Sequence, residues 1–258
     1  MKRILGLLHS VIFATLLVMI TVIGAIVVML VGLFHPYSSI NQWVMKTWSK
    51  LVLFFAGVKV DVQGLEHIAP GNSYIIVGNH QSHFDIPVVV GYLPLKMTII
   101  SKKELFKIPF FGWGMKAAGV LKVDRSNRHQ AIATLKEAER ILKENQISLL
   151  AFPEGTRSRD GKIHRFKKGP FMVALQTGLP VLPVTIVGAY EILPPKTLNL
   201  HPGRVKMIVH PPVDSMQYNL DTRDQFIEHV KSIIEKTFWE EHEHVSQSHR
   251  RQPSPIAR

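Results

Sequence analysis

Residues 128–152 read RHQAIATLKEAERILKENQISLLAF, and this stretch decides the fold class. Its first part, Arg128–Asn145, repeats apolar residues at helical spacing on one face: Ile132, Leu135, Ala138, Ile141 and Leu142. After a short break, Ser148–Phe152 has the length and the mainly apolar composition of a buried strand. A helix followed at once by a buried strand is the unit from which α/β domains are built.

The same alternation runs through the chain from Val58 onward. Besides Ser148–Phe152, the sequence predicts strands at Val58–Val62, Tyr74–Val77, Met97–Ile100, Val120–Val123, Val181–Val187 and Val205–Val209. It predicts further helices at Lys168–Thr177 and Thr222–His244. The predicted fold is therefore an α/β domain over residues 58–244, with a mixed, largely parallel sheet flanked by helices.

The composition narrows the possible partners. The 258 residues include no cysteine and carry a net charge of +12. The absence of cysteine excludes a disulfide framework, a cysteine nucleophile and a Cys-ligated metal site. The positive charge favours acidic partners, and together with 46% apolar residues it favours an anionic membrane surface. We expect a membrane bilayer as a partner and no nucleic acid.

Residues 1–57 are predicted to anchor the chain to this membrane. Val11–Phe34 contains no Lys, Arg, Asp or Glu. It is long enough to cross a hydrocarbon core of about 30 Å. Tyr37–Phe55 mixes Trp and Lys with apolar residues, which is typical of an interfacial helix or of an amphipathic helix packed on the globular domain. At the other end, residues 245–258 are polar and basic, and we predict a disordered tail.

A polar cluster, GNHQSHFD at residues 78–85, follows the strand predicted at Tyr74–Val77. His80 suits proton transfer near neutral pH, and the carboxylate of Asp85 can orient it and stabilise its imidazolium form. The two side chains can meet only across a turn, because a five-residue helical separation points them apart. The competing interpretation is structural: Ser82 as N-cap and Asp85 at N3 would form a capping box.

A second cluster, SLLAFPEGTRSRDGK at residues 148–162, runs from a predicted strand into a turn. Glycine lets the backbone approach a ligand closely, and arginine binds phosphate oxygens in bidentate fashion. Arg157 is thus a candidate phosphate ligand, and Glu154 would either hold Arg157 or accept from a substrate hydroxyl. The alternative is a solvated loop with local ion pairs. Arg125 follows another predicted strand, at the edge where α/β sheets bind ligands.

These blocks follow one another in a fixed order: Asn79-His80-x-x-x-x-Asp85, Lys102-x-Glu104-Leu105, Gly119 to Arg125, Phe152-Pro153-Glu154-Gly155-Thr156-Arg157-Ser158 and Val181-Leu182-Pro183-Val184. The order resembles the four-block pattern of glycerolipid acyltransferases over residues 78–188. It is most similar to the bacterial 1-acylglycerol-3-phosphate acyltransferases.

The resemblance implies transfer of an acyl group from acyl-CoA or acyl carrier protein (acyl-ACP) to the 2-hydroxyl of lysophosphatidic acid, which gives phosphatidic acid. It implies that His80 is the general base and Asp85 its orienting carboxylate. The residues that would hold the glycerol phosphate are Lys102, Arg125, Glu154, Gly155, Thr156 and Arg157. No acyl-enzyme is expected, because the chain has neither a cysteine nor a Gly-x-Ser-x-Gly elbow. No cofactor is expected besides the acyl donor, which is a co-substrate.

Other functions remain open at this point. In one alternative, the protein is an acyltransferase whose acceptor is glycerol 3-phosphate or another lysolipid. In a second, the chain is a membrane-bound, metal-dependent phosphoesterase that uses His80, His83 and Asp85, although their spacing does not match a common metal motif and we expect no metal. In a third, the chain is a non-catalytic lipid-binding protein whose basic residues only hold lipid headgroups. This alternative does not explain why a His and an Asp lie beside an Arg-rich glycine turn.

The expected location is the bacterial inner membrane, with the catalytic domain on its cytoplasmic face, where acyl-CoA and acyl-ACP are found. Lys2 and Arg3 favour a cytoplasmic N-terminus. A single crossing would then put the catalytic domain outside. Either the N-terminus lies outside, or the first segment dips into one leaflet and turns back at His35-Pro36. We favour the dip.

Overall fold

The structure is a computed structural model that describes residues 2–32, 34–124, 127–194, 197 and 200–251. Its α-helices are α1 (Lys2–Gly32), α2 (Ser39–Phe55), α3 (Asp85–Tyr92), α4 (Phe111–Ala117), α5 (Arg128–Asn145), α6 (Gly169–Thr177), α7 (Ala189–Ile192) and α8 (Arg223–Arg251). Its strands are β1 (Val58–Gln63), β2 (Ile75–Gly78), β3 (Met97–Lys102), β4 (Leu121–Val123), β5 (Ser148–Ala151), β6 (Val181–Val187) and β7 (Gly203–Val209). Every predicted strand is present, with ends shifted by at most two residues.

The strands of the described chain form one sheet in the order β1-β7-β6-β2-β5-β3-β4. All neighbouring pairs are parallel except β6 and β7, which are antiparallel. The predicted mixed, largely parallel sheet is confirmed. Because β6, β2, β5, β3 and β4 run in the same direction, the loops that follow them leave from one edge of the sheet. This edge carries the polar clusters of the sequence.

Helices cover both faces of the sheet, so the central strands are buried on both sides. Every residue of β2, β5 and β6 is buried, which explains their continuous apolar sequences. One hydrophobic core lies between the sheet and α2, α3 and α7. The other lies between the sheet and α5, α6 and α8. Helices on both faces of a largely parallel sheet are the α/β architecture that the sequence predicted.

Helix α8 shows how the apolar spacing fixes a helix on the sheet. Phe226, Val230, Ile234 and Phe238 recur every four residues and are all completely buried. Burying one such side chain stabilises the fold by about 1.5–3 kcal/mol. The helix continues to Arg251, so the disorder predicted from Val245 is corrected for residues 245–251. No glycine or proline interrupts the helix before Pro253, and residues 252–258 lie outside the described residues.

Helices α1 and α2 form a hairpin that lies along the α/β domain. Trp48 Nε1 of α2 donates to Thr21 Oγ1 of α1 at 3.0 Å. A Cβ added to Gly32 would lie 2.3 Å from the carbonyl oxygen of Ala117, so α1 and α4 approach closely at that point. The outer face of α1 is exposed and apolar, with Leu8, Val11, Ile12, Val18, Met19, Ile23, Ile26, Val27 and Leu30. Within the described residues, Leu8–Gly32 is the segment long and apolar enough to cross a membrane.

Candidate active site

The site is built by two loops that follow neighbouring strands. Strands β2 and β5 pair in parallel, with Val77 opposite Ala151. The loop after β2, residues 79–84, and the loop after β5, residues 152–168, therefore start side by side. Asn79 fixes the start of the first loop, since its buried amide donates to Ile186 O and accepts from Ile186 N, both at 2.8 Å.

His80 and Asp85 meet across the first loop, as the sequence predicted for a turn. His80 Nδ1 lies 2.8 Å from Asp85 Oδ2. The carboxylate is completely buried, whereas the imidazole is 15% exposed. A carboxylate only accepts hydrogen bonds, so Nδ1 carries the proton and Nε2 keeps its lone pair. The ring also stacks on Phe152, with centroids 4.3 Å apart. In the neutral form of the ring, this arrangement fixes the imidazole and leaves Nε2 as its acceptor nitrogen.

The alternative capping box is not formed. Helix α3 begins at Asp85 after Phe84, which makes no side-chain capping bond. Ser82 Oγ instead donates to Leu193 O at 3.1 Å. Asp85 Oδ2 accepts from the backbone N–H groups of Gln81 (2.6 Å) and Ser82 (2.8 Å) in addition to His80. The carboxylate reaches back over the turn instead of capping the helix, and so holds the loop and the imidazole together.

Three contacts tie the second loop to the first. Glu154 Oε1 accepts from the backbone N–H of His80 at 2.8 Å. The N–H of Ser158 donates to His80 O at 2.8 Å. Gln81 Nε2 donates to Gly161 O, also at 2.8 Å. The backbone of His80 is thereby held on both its N–H and its C=O by the FPEGTRS segment, residues 152–158, which fixes the imidazole relative to the candidate phosphate site.

Glu154 occupies a different place from the predicted one. It is buried, and its second oxygen, Oε2, accepts from the backbone N–H of His164 at 3.0 Å. Both oxygens thus accept from the backbone, and in the described part of the chain Glu154 makes no ion pair with Arg157. Burial raises the pKa of Glu154 to about 7, although the two N–H donors oppose this shift. Glu154 is a positioning residue beneath the loops.

We expect Glu154→Gln to destabilise the protein in a pH-dependent way. The amide has one acceptor oxygen for two N–H donors, and a buried unpaired donor costs about 1–3 kcal/mol. The wild-type carboxyl binds its proton more tightly when folded, because its pKa rises from 4.5 to about 7. Its contribution to stability is therefore complete below pH 4.5 and lost as the pH rises through 7. Melting temperatures in detergent should show the wild-type advantage shrinking between pH 5 and pH 8. An advantage that widens would contradict this account.

The second loop supplies positive charge beside the imidazole. Arg157 is half-buried. Burial lowers its pKa from the ordinary value, and the charge of Asp85 opposes this. Gly155 has a φ of +75°, a left-handed conformation that favours glycine, and the ammonium of Lys167 lies close to its Cα. Thr156 is exposed next to it.

His83, in the first loop, is neutral at pH 7. Its burial, with the charges of Arg157 and His80, lowers its pKa to about 4.

The remaining predicted ligands lie at the same edge of the sheet. Lys102 ends β3, and its exposed ammonium lies 3.6 Å from Glu104. The neighbouring Lys103 is paired with Asp124, and the assignment of Lys102 to the substrate stays a prediction. Arg125 lies outside the described residues. In the part of the chain that the structure describes, no three His, Asp or Glu side chains are arranged to hold a metal ion.

Sequence reasoning missed three contributors to the site. Phe152 stacks on His80, Asn79 clamps the loop to β6, and Lys167 lies over Gly155. Asn79 and Phe152 were inside the quoted motifs, but their partners could not be read from spacing. Lys167 lies eleven residues beyond Thr156 in the sequence. Its backbone N–H donates to Pro153 O, and this contact brings the end of the loop back beside Gly155.

The chain is similar in sequence and in fold to known proteins. The sequence profile of the family described as Acyltransferase matches residues 59–187. The chain is 35% identical over 203 residues to a chloroplastic 1-acyl-sn-glycerol-3-phosphate acyltransferase of Arabidopsis thaliana. This match covers 78% of the chain and 55% of the plant protein, so the chain spans about half the length of that relative.

A bacterial relative and a crystal structure match over nearly their full lengths. The 1-acyl-sn-glycerol-3-phosphate acyltransferase of Escherichia coli is 32% identical over 222 residues, which are 84% of the chain and 89% of that protein. The crystal structure of a 1-acyl-sn-glycerophosphate acyltransferase from Thermotoga maritima superposes with a TM-score of 0.79 at 29% identity, covering 98% of the chain and all of its own. With the paired His80 and Asp85 at the sheet edge, these matches show that the chain belongs to the acyltransferase family.

Proposed function

We propose that the protein transfers an acyl group from acyl-CoA or acyl-ACP to the 2-hydroxyl of 1-acyl-glycerol 3-phosphate, forming phosphatidic acid. The observation that carries the proposal is the imidazole of His80. Its Nδ1 is held by a buried carboxylate, its side chain is partly exposed, and Arg157 is close enough to feel the charge of that carboxylate. The relatives named above support the choice of acceptor.

The proposed mechanism is direct transfer. Nε2 of His80 removes the proton of the 2-hydroxyl as its oxygen attacks the thioester carbonyl. The tetrahedral intermediate collapses, the carbon–sulfur bond breaks, and the thiolate takes the proton back from the imidazolium. Asp85 stabilises the imidazolium while it exists. Arg157, Thr156, the backbone at Gly155, Lys102 and Arg125 would hold the acceptor so that its hydroxyl meets Nε2.

The test is transfer of a labelled acyl group by the purified protein. We expect labelled phosphatidic acid with lysophosphatidic acid as acceptor, and much slower transfer to glycerol 3-phosphate or lysophosphatidylcholine. A chelator should leave the rate unchanged, which separates this reaction from a metal-dependent phosphoesterase. Preferred acylation of glycerol 3-phosphate would make the alternative acceptor correct. Phosphate release that a chelator abolishes, without acyl transfer, would support the phosphoesterase.

Arg157→Lys should weaken use of the acceptor selectively. A lysine ammonium is a point charge and cannot reproduce the bidentate contact of a guanidinium with phosphate. Losing one charge-assisted contact should raise the KM for lysophosphatidic acid about tenfold or more. With monoacylglycerol, which has no phosphate, wild type and variant should be equally slow. An equal loss with both acceptors would contradict phosphate binding by Arg157.

We also propose that α1 and α2 dip into one leaflet and leave the catalytic domain on the cytoplasmic face of the inner membrane. The contacts of α1 support this. Phe13 contacts Phe84, with ring centroids 6.1 Å apart, and Gly32 packs on Ala117. The helix is therefore held beside the α/β domain for about 28 Å of its length. If α1 crossed the bilayer, α4, which packs against it, would have to lie in the hydrocarbon core.

Protease treatment of sealed right-side-out spheroplasts tests this topology. We expect the loop around Arg159–Lys168, which is largely exposed, to resist protease added outside and to be cut once the membrane is opened. A maleimide-reactive cysteine added at the N-terminus should also stay unlabelled from outside. Cleavage of the loop from outside would contradict the cytoplasmic placement, and labelling of the N-terminus would contradict the dip.

A further inference from the structure

A group of apolar side chains on the α/β domain has no role in the site described above. The segment after β3 exposes four consecutive residues, Lys107, Ile108, Pro109 and Phe110, and α4 adds the exposed Trp113. Ile108 is 45% exposed, Phe110 36% and Trp113 52%. The rings of Phe110 and Trp113 contact each other, with centroids 5.1 Å apart. Ile108, Phe110 and Trp113 form an apolar patch, and a contiguous exposed patch of this kind marks an interaction surface.

The backbone holds Phe110 at the surface. The N–H of Phe111 donates to Pro109 O at 2.6 Å, and Phe110 between them has a φ of +59° and a ψ of −55°. This is a γ-turn of the rare and strained form, in which a bulky side chain is unusual. The N–H of Gly112 also donates to Ile108 O at 2.7 Å. The exposure of the patch therefore follows from a hydrogen-bonded backbone.

The contacts of α4 show where the patch faces. A Cβ added to Gly114 would lie 3.0 Å from the Cβ of Ala25, and Gly32 packs on Ala117. Ala25 and Gly32 are separated by about two helical turns and lie on one face of α1. The opposite face of α1 carries exposed apolar residues: Ile23, Val27 and Leu30. Helix α1 therefore lies between α4 and the leaflet into which its exposed face is proposed to dip.

The patch lies on the side of α4 that faces α1. Trp113 precedes Ala117 by four residues, and Phe110 precedes Trp113 by three, so these side chains share one side of the helix. Because Phe110 and Trp113 are exposed on that side, their rings reach past α1 toward the leaflet. Tryptophan favours the membrane–water interface, and the ammonium of Lys107 suits anionic headgroups. A lipid surface matches both chemistries.

We propose that the apolar patch inserts into the headgroup layer of the leaflet that holds α1. The α/β domain then makes a membrane contact of its own, in addition to the α1–α2 hairpin. The inference rests on the proposed placement of α1 and α2 in one leaflet. The patch follows β3, whose last residue is Lys102, at the edge of the sheet that carries the candidate active site. Insertion therefore seats this edge against the lipid, where a lysolipid acceptor is held.

The experiment uses the absence of cysteine from the chain. Trp113→Cys is labelled with an environment-sensitive fluorophore, and the full chain is reconstituted in vesicles of phosphatidylcholine and phosphatidylglycerol. Quenching is compared for iodide in the water, for a nitroxide on the lipid headgroup and for a nitroxide deep in the acyl chain. We expect a blue-shifted emission, loss of iodide quenching and strongest quenching by the headgroup nitroxide. Lys136→Cys, an exposed position on α5 at the other face of the sheet, is the control and should be quenched by iodide.

Ile26→Cys, on the exposed face of α1, separates this inference from the placement on which it rests. Its label should be quenched best by the deep nitroxide. If the Ile26 label is in lipid but the Trp113 label is quenched by iodide, the patch does not insert. If both labels are quenched by iodide, the placement of α1 fails and the inference fails with it. Strongest quenching of the Trp113 label by the deep nitroxide would also contradict insertion at headgroup level.

Ile108→Cys provides a second reading of the same patch. Its side chain is exposed beside Lys107, and it should show the same loss of iodide quenching as the Trp113 label. It decides the question if Trp113→Cys has a lower melting temperature than wild type. Iodide quenching of the Ile108 label on protein with a wild-type melting temperature would overturn the inference.

Discussion

His80→Ala is expected to lower kcat by about 10²–10⁴-fold, the usual contribution of a general base. The reason is that the lone pair on Nε2, held in place by Asp85 and by the ring of Phe152, would be lost. The measurement is acyl transfer with both substrates saturating, on protein that keeps its melting temperature and its membrane association.

His201→Ala is the matched control for this experiment, because His201 is an exposed histidine next to β7. It should keep wild-type turnover. If the His80 variant also turned over at a rate close to wild type, the base would have to be another group. The neighbouring His83 would then be examined first.

Asp85→Asn should cost at least about a hundredfold in kcat. Asparagine can still accept from the backbone, but it carries no charge to stabilise the imidazolium. The measurement is kcat at saturating substrates beside the melting temperature of the same sample. A loss of kcat no larger than the loss of folded protein would mean a purely structural role and would contradict the assignment.

The elements of the fold could be predicted because each follows from local sequence. The strands β2, β5 and β6 are short apolar runs, and Arg128–Asn145 matches α5 in both ends. The errors occurred where composition was ambiguous. The tail after Val245 is polar enough for disorder, yet it has no helix breaker before Pro253, and α8 continues through it to Arg251.

The candidate site was predicted less completely, because it depends on contacts between distant residues. The pairing of His80 with Asp85 is local and was anticipated as a turn. Glu154 was assigned to substrate because it stands beside Gly155 and Arg157 in the motif. Its actual partners are backbone N–H groups, one of them 74 residues earlier in the chain. Sequence spacing cannot show that a carboxylate faces inward to the backbone.

The central claim is acyl transfer to the 2-hydroxyl, and one comparison tests it most directly. The purified protein is given labelled acyl-CoA with lysophosphatidic acid in one reaction and with its 2-deoxy analogue in another. The analogue keeps the acyl chain and the phosphate but lacks the hydroxyl that His80 would deprotonate. We predict labelled diacyl product from lysophosphatidic acid and none from the analogue. Labelled product from the analogue, or none from either acceptor, would contradict the account.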